Sequence, residues 1–210
     1  MQHYVLRNHS NQITLFEGDY ESYVDCLEDA VTNNINLQEI DLSNKNLSNA
    51  NLDNAKMQNA NFNNSNLTGA NLSESNLQSA SFNNTTLYNT CLSYSNLKKA
   101  NFMNANFGAT LINGSNIEKA MFSTLSCFDL DFRSVEKMKG CKFECYDGLM
   151  HAMSHHPIVL KGILNKPIVV LDQTITIGMH FLPKTALSKI MEKALIYEKQ
   201  TLLHDLIKER

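Results

Sequence analysis

The sequence contains few residues that interrupt or crosslink a chain. Three of its 210 residues are proline, and Pro157, Pro167 and Pro183 all lie in the last third. Its five cysteines are odd in number and unevenly spread, a pattern that is not typical of a disulfide framework and that fits a reducing compartment. Because a chain of this length can bury a sizeable core, it needs neither crosslinks nor metals for stability.

Charge and long apolar runs are also scarce. Charged residues make up 19% of the chain and the net charge is −3, too small to attract polyanions by bulk charge. No stretch approaches the ~18 apolar residues of a membrane span, and the N-terminus lacks the pattern of a signal peptide. We therefore expect a soluble, cytoplasmic protein with no membrane partner.

A five-residue repeat dominates the middle of the chain. Large apolar residues recur at every fifth position from Leu37 to Phe122, and a small residue stands two positions before most of them. This spacing places both residues on the same side of an extended backbone, whereas the residue between them, usually Asn, faces outward. A period of five matches neither a helix nor a strand, so it predicts a chain wound around a narrow core.

A second period of 20 residues predicts four sides per turn. Phenylalanines at this spacing would stack in one interior column, and asparagines at the same spacing would stack at one corner as an amide ladder. The phenylalanines are Phe62, Phe82, Phe102 and Phe122. The corner asparagines are Asn44, Asn64, Asn84 and Asn104.

Residues 50–54 (ANLDN), 60–64 (ANFNN) and 70–74 (ANLSE) resemble the pentapeptide-repeat family. Members of that family fold as right-handed, four-sided β-solenoids, and the resemblance covers roughly residues 35–126. We therefore expect a mainly β fold, a right-handed quadrilateral β-solenoid over residues 35–132. Residues 1–34 are predicted to form a cap, with a hairpin of residues 3–7 and 12–16 and a helix that opens at Asp19 or Glu21.

Residues 133–210 are predicted to form a small α+β unit. We expect a short helix near residues 147–154, strands at 158–160, 167–171 and 174–177, and an amphipathic helix from Lys184 to about Lys208. The apolar stripe of this last helix either packs on the preceding strands or forms a homodimer contact. The candidate dimer residues are Leu187, Met191, Leu195 and Leu202.

One cluster has the residue types of a metal site. The weak candidate ligands are Cys141, Cys145, His151 and His155. Their spacing is shorter than that of a zinc finger, so an ordinary reduced cysteine pair is the alternative. A thiol nucleophile at Cys145 would need a nearby imidazole. Because the sequence has no phosphate-binding loop and the solenoid interior is filled, we predict no cofactor and no catalytic residue.

The repeat register also brings exposed residues together. Cys91 falls directly below Leu111 on one face, with Tyr94 at the corner of that face and Tyr88 on the adjoining side, a candidate protein-contact site. Scattered surface apolar residues are the alternative. On the next face Lys98, Lys99 and Lys119 gather beside Glu118, which we interpret as a solvated cluster.

The function predicted from these features is that of a non-enzymatic protein-protein interaction module with a protein partner of unknown identity. Weaker similarity of the N-terminal hairpin and residues 147–163 to bacteriophage pentapeptide-repeat proteins implies a phage or bacterial factor that modulates a host enzyme or defence component. The alternatives are metal- or thiol-dependent activity in the C-terminal unit and an effector delivered into another cell.

The family resemblance also implies a further alternative, since some members bind DNA gyrase by mimicking DNA. DNA mimicry needs a dense field of negative charge. Residues 35–132 carry seven acidic against five basic residues, a net charge of −2, and neutral Asn at the outward positions. These counts argue against DNA mimicry, and we expect no direct binding of nucleic acid either.

Overall fold

The computed structural model describes residues 1–145, 148–178 and 180–195. They divide into two compact units, and the second begins at Pro157. The strands are β1 (Gln2–Arg7), β2 (Thr14–Tyr20), β3 (Thr86–Tyr88), β4 (Asn101–Phe102), β5 (Asn106–Gly108), β6 (Met121–Phe122), β7 (Lys142–Glu144), β8 (Met150–Ala152), β9 (Ile158–Leu160), β10 (Ile168–Val170), β11 (Thr174–Ile177) and β12 (His180–Pro183). Helix α1 spans Tyr23–Thr32, and 3-10 helices span Leu125–Asp129 and Lys184–Ala186.

The N-terminal segment is an antiparallel hairpin followed by α1. Strands β1 and β2 pair from Gln2 opposite Tyr20 to Arg7 opposite Thr14. Helix α1 does not open at Asp19 or Glu21, because β2 runs through Tyr20. Its N-cap is Ser22, which forms a capping box with Asp25, and this reciprocal pair satisfies two backbone N–H groups at the helix start.

The hairpin and α1 supply partners to the first coil of repeats. Asp41 donates its backbone N–H to Arg7 O at 2.8 Å, and His9 donates to Glu39 O at 2.8 Å. The Glu28 carboxylate accepts the backbone N–H of Asn51 at 2.7 Å, a group that has no coil before it to bond. These three backbone donors at the edge of the coil are therefore paired.

Residues 37–122 wind as a β-solenoid-like coil with the predicted period. The large inward residues from Leu37 to Phe122 are at most 4% exposed. Parallel bridges join outward residues one turn of 20 positions apart, for example Asp41 with Asn61 and Asn61 with Ser81. Each turn therefore contains four five-residue units. The right-handed sense of the coil stays a prediction.

The predicted phenylalanine column forms in the core. The rings of Phe62 and Phe82 are 4.8 Å apart, those of Phe82 and Phe102 also 4.8 Å, and those of Phe102 and Phe122 5.2 Å, with interplanar angles of at most 10°. These separations match the spacing of adjacent strands, so coil stacking sets the ring stacking. The solenoid interior is filled by these side chains.

The coil continues beyond the predicted boundary at residue 132. Asn116 bridges Lys137, and β6 pairs with β7 so that Phe122 lies opposite Phe143. The spacing here is 21 residues instead of 20, because one residue is added ahead of Lys137. The Gly114 N–H bonds Ser134 O across 20 positions, whereas the equivalent N–H of the coil before, that of Tyr94, bonds Asn113 O across 19. This addition hides the repeat in the sequence while the coil itself is preserved.

The first unit ends in a hairpin, which corrects the predicted helix near residues 147–154. Strand β8 pairs antiparallel with β7, with Phe143 opposite His151. Next to the last pair of this hairpin, Cys145 donates its N–H to Leu149 O at 2.8 Å. The apolar residues that suggested a short helix instead extend the open sheet β4-β6-β7-β8.

The second unit is a four-stranded antiparallel sheet in the order β12-β11-β10-β9. Its core contains Ile168, Val170 and Ile175, against which Leu187 and Ile190 pack. The described part of the terminal helix, residues 187–195, follows the 3-10 turn directly. Within the described residues, no helix is both long enough and apolar enough to cross a membrane.

Candidate interaction surfaces

The outward asparagines hold neighbouring coils together. The Asn61 side-chain oxygen accepts the backbone N–H of Asn63 at 3.1 Å, and its amide nitrogen donates to Asp41 Oδ1 at 3.2 Å. Asn66 and Asn71 repeat both bonds, donating at 3.4 and 3.1 Å to the coil before. Asn provides both the acceptor and the donor for this pattern, whereas a carboxylate can only accept.

The amide ladder therefore lies at the outward positions and not at the predicted corner column. The corner residues Asn44, Asn64, Asn84 and Asn104 have φ between 57° and 61°. This left-handed conformation favours Asn and Gly, because other side chains crowd the backbone there. Asn is thus repeated for two separate reasons, a ladder at one position and a backbone conformation at the other.

One face of the coil breaks the asparagine pattern. The ladder from Asn51 to Asn71 is followed by Cys91, which bridges Leu111 on the next coil. Leu111 is 52% exposed, Tyr88 46% and Tyr94 69%, and Cys91 is partly exposed. We call Tyr88, Cys91, Tyr94 and Leu111 the tyrosine face. All four are the residues singled out from the sequence, and the structure places them on two adjacent coils.

The two tyrosines of this face lie over glycines of the following coil, which sequence reasoning missed. A methyl group on Gly108 would lie 2.8 Å from Tyr88 Cδ1, and one on Gly114 would overlap the ring of Tyr94. Each glycine stands 20 positions after its tyrosine, so the repeat register contained the signal. The absence of a Cβ at each glycine leaves room for the close approach of the ring.

A lysine cluster occupies another corner of the coil. The predicted group of Lys98, Lys99 and Lys119 beside Glu118 is joined by three further lysines, because the coil continues past residue 132. Lys98 pairs with Glu118 at 3.5 Å. We call the whole set the basic corner, and its members are Lys98, Lys99, Lys119, Lys137, Lys139 and Lys142.

The predicted Cys and His candidates do not form a metal cluster. Cys141 aligns with Ala120 in the inward column of small residues, is fully buried, and donates its thiol to Ile117 O at 2.7 Å. Burial raises its pKa to about 12. Cys145 is also buried and His155 is exposed. In the described ranges, no three His, Cys, Asp or Glu side chains, His151 included, could hold an ion together.

The candidate dimer helix is described only in part. Leu187 packs on the core of its own sheet, which accounts for one end of the apolar stripe. Met191 is partly buried and Leu195 is 55% exposed, while Leu202 lies outside the described residues. The homodimer contact stays a prediction.

Comparison with protein-family models supports the five-residue repeat. Residues 33–69 and 65–102 match the family model described as pentapeptide repeats, eight copies. Residues 33–102 are pentapeptide repeats. No curated protein sequence matches the chain.

Several pentapeptide-repeat proteins of known structure are similar to this chain. One from the Arabidopsis thaliana thylakoid lumen is 25% identical, with a TM-score of 0.33, over 59% of this chain and 70% of that protein. Rfr23 from the cyanobacterium Cyanothece is 23% identical, with a TM-score of 0.27, over 51% and 82%. HetL from the cyanobacterium Nostoc, involved in heterocyst differentiation regulation, is 19% identical, with a TM-score of 0.25, over 58% and 80%.

Proposed function

We propose that this protein is a non-enzymatic protein-protein interaction module and that the tyrosine face is its main contact surface. One observation carries the proposal. Tyr94 occupies a corner position with φ of 58°, where the equivalent residue of an earlier coil is Asn54 at φ 59°. A bulky side chain in this conformation is an outlier, and such outliers concentrate at functional sites.

The composition of the face supports a protein partner. Tyrosine is enriched at the centres of protein interfaces, because its ring buries a large area and its hydroxyl still forms hydrogen bonds. The rings of Tyr88 and Tyr94 are packed on Gly108 and Gly114, so little side-chain freedom is lost on binding. The exposed Leu111 between them adds an apolar contact.

The partner proposed is a protein of a bacterial or phage-infected cell, such as a host enzyme or a defence component. The outward asparagines argue against DNA mimicry as the means of binding. A ladder position that bonds the coil before it needs a donor, so Asn66 and Asn71 cannot become carboxylates without losing that bond. Most outward ladder positions of the early coils are therefore neutral for a structural reason, which leaves these coils without a dense phosphate-like field.

The test is affinity capture by purified full-length protein, followed by mass spectrometry, with single variants on and off the face. Tyr94→Asn and Leu111→Asn restore the residue that stands in the same column of an earlier coil, at Asn54 and Asn71, so we expect both variants to fold. We expect each to reduce capture of a defined partner by at least about tenfold, as loss of a hot-spot residue does.

A matched control removes a partly exposed apolar residue from another corner. Met103→Asn introduces the residue found at the equivalent Asn63 and Asn83, and we expect it to retain full capture. Equal capture by wild type, Tyr94→Asn and Leu111→Asn, with unfolding temperatures unchanged, would exclude the tyrosine face as the contact surface.

A further inference from the structure

The basic corner is assembled by the register of three successive coils. Lys99 donates its backbone N–H to Glu118 O at 2.8 Å, and Lys119 donates to Lys139 O at 3.1 Å. Lys137 bridges Asn116, and Lys142 lies opposite Met121. Six lysines from residues 98–142 thus come together at one corner and on the two sides that meet there.

The local charge of this corner opposes that of the chain. Its six lysines stand with two glutamates, Glu118 and Glu136, a local net charge of +4 in a chain of net charge −3. In the part of the chain that the structure describes, Lys98 pairs with Glu118 at 3.5 Å and Lys137 with Glu136 at 2.9 Å. These are the carboxylate pairs found there, so Lys99, Lys119, Lys139 and Lys142 are not neutralised.

Two of these lysines occupy unfavourable backbone positions. Lys99 and Lys119 have φ of 62° and 60°, at a corner where the earlier coils carry Asn59 and Ser79. Consecutive coils are about 4.8 Å apart, so the two like charges stand on neighbouring rungs of one column and repel each other. Packing of the coil requires neither lysine, because Lys99 and Lys119 are both exposed.

We propose that the basic corner binds an acidic segment of the protein partner, whose carboxylates pair with Lys99, Lys119, Lys139 and Lys142. This inference rests on the proposed function and names the chemistry of the partner. An opposite charge would relieve the repulsion within the column and would guide the encounter between the two proteins. The lysines are exposed, so each pair contributes modestly and depends on salt.

A short acidic segment fits this corner better than a nucleic acid does. Nucleic-acid binding commonly uses about 6–10 phosphate contacts along a continuous strand. Beyond the basic corner the chain is net negative, and the same corner column begins with Glu39 on the first coil. A strand of phosphates would extend over repulsive surface, whereas a few carboxylates would contact only the lysines.

The test is fluorescence anisotropy with the full chain and a labelled peptide of alternating glutamate and serine. The reference probes are the same peptide with glutamine for glutamate and a single-stranded oligothymidylate of equal charge. We expect the glutamate peptide to bind, the glutamine peptide to bind at least about tenfold more weakly, and affinity to fall as salt rises. Tighter binding of oligothymidylate than of the glutamate peptide would overturn the proposal in favour of nucleic acid.

The decisive variant is the pair Lys99→Asn and Lys119→Asn. Asn suits the left-handed corner, so this variant keeps or gains stability while it loses two charges. We expect about a tenfold loss of affinity for the glutamate peptide. The control pair, Lys56→Asn and Lys161→Gln, removes two charges elsewhere and should bind as wild type. Equal affinities for the two pairs would overturn the proposal.

The peptide assay also separates this inference from the proposed function. Tyr94→Asn should bind the glutamate peptide like wild type, because the tyrosine face lies at a different corner. If the peptide fails to bind while Tyr94→Asn still abolishes partner capture, the acidic-segment inference is wrong and the interaction surface stands. If the peptide binds while Tyr94→Asn has no effect on capture, the tyrosine face is the part that fails.

Discussion

The early coils, residues 36–85, and the late coils, residues 86–144, share one interior but differ in their exterior. Both bury large residues along their inward columns and stack phenylalanines at about the same spacing. The early exterior is mostly a lattice of asparagines, whereas the late exterior carries the tyrosine face and the basic corner. The interior therefore sets the fold, and the exterior is free to vary once enough ladders hold the coils together.

The largest expected effect comes from the shared interior. Phe82→Ala and Phe122→Ala each empty one rung of the ring column, and we expect each to lower the free energy of unfolding by about 3–5 kcal/mol. Denaturant unfolding followed by circular dichroism measures this loss. Phe82→Leu is the control, since Leu42 stands at the foot of the same column. We expect this variant to lower the free energy of unfolding by clearly less than Phe82→Ala does. A loss under about 1 kcal/mol for Phe122→Ala would show that the late coils are packed differently.

The structure shows which features the sequence could predict. Inward residues follow one rule along the chain, since each must be apolar and fit its column, so Leu37 to Phe122 could be assigned from spacing alone. The continuation of the coil beyond residue 132 was missed because an extra residue ahead of Lys137 shifts Phe143 out of the 20-residue period. Hydrophobic periodicity detects regular spacing and cannot locate a corner that accommodates an added residue.

The surface was harder to predict because one residue type serves two roles. Asn64 is at its position for its backbone conformation, and Asn66 for its two side-chain bonds. The sequence alone assigned the ladder to the wrong column. The members of the tyrosine face followed from the register, but the supporting Gly108 and Gly114 became evident only from the close approach of the rings.

The next largest effect is expected at alkaline pH and tests the late interior. Burial raises the pKa of the Cys141 thiol to about 12, and that of Cys127 is also raised. In the unfolded chain a thiol ionises near its usual pKa of about 8.5, whereas these two thiols stay protonated in the folded protein. The free energy of unfolding is therefore unaffected below about pH 8.5 and falls as the pH rises above it. Each thiol contributes a slope of up to about 1.4 kcal/mol per pH unit.

Cys141→Ala is the matched variant for this pH effect. It introduces the residue that stands in the same column at Ala100 and Ala120, and it should reduce the alkaline loss of stability measured by urea unfolding between neutral and alkaline pH. The same alkaline slope in the variant and in wild type would show that the Cys141 thiol is not the group responsible.

The early exterior is tested by a change that removes a donor but keeps the shape. Asn66→Asp cannot donate to Asn46 Oδ1, and we expect it to lower the free energy of unfolding at neutral pH by about 1–2 kcal/mol. Asn46→Asp is the control, because residue 46 only accepts in this ladder, as Asp41 does in its own. Chemical denaturation measures both, and equal losses would show that the ladder bond itself contributes nothing.

The smallest expected effect lies at the tyrosine face, where function and stability are predicted to oppose each other. Tyr94→Asn relieves the strain of the left-handed backbone conformation at this position. We therefore expect it to raise the free energy of unfolding by about 0.5–1 kcal/mol, measured as a shift of the denaturant midpoint. The reciprocal change in the early coils, Asn54→Tyr, should lower it, because Glu74 rather than a glycine stands on the next coil. If Tyr94→Asn instead destabilises the protein, the ring contributes more to packing on Gly114 than its backbone strain costs, and Tyr94 is a structural residue of the late coils.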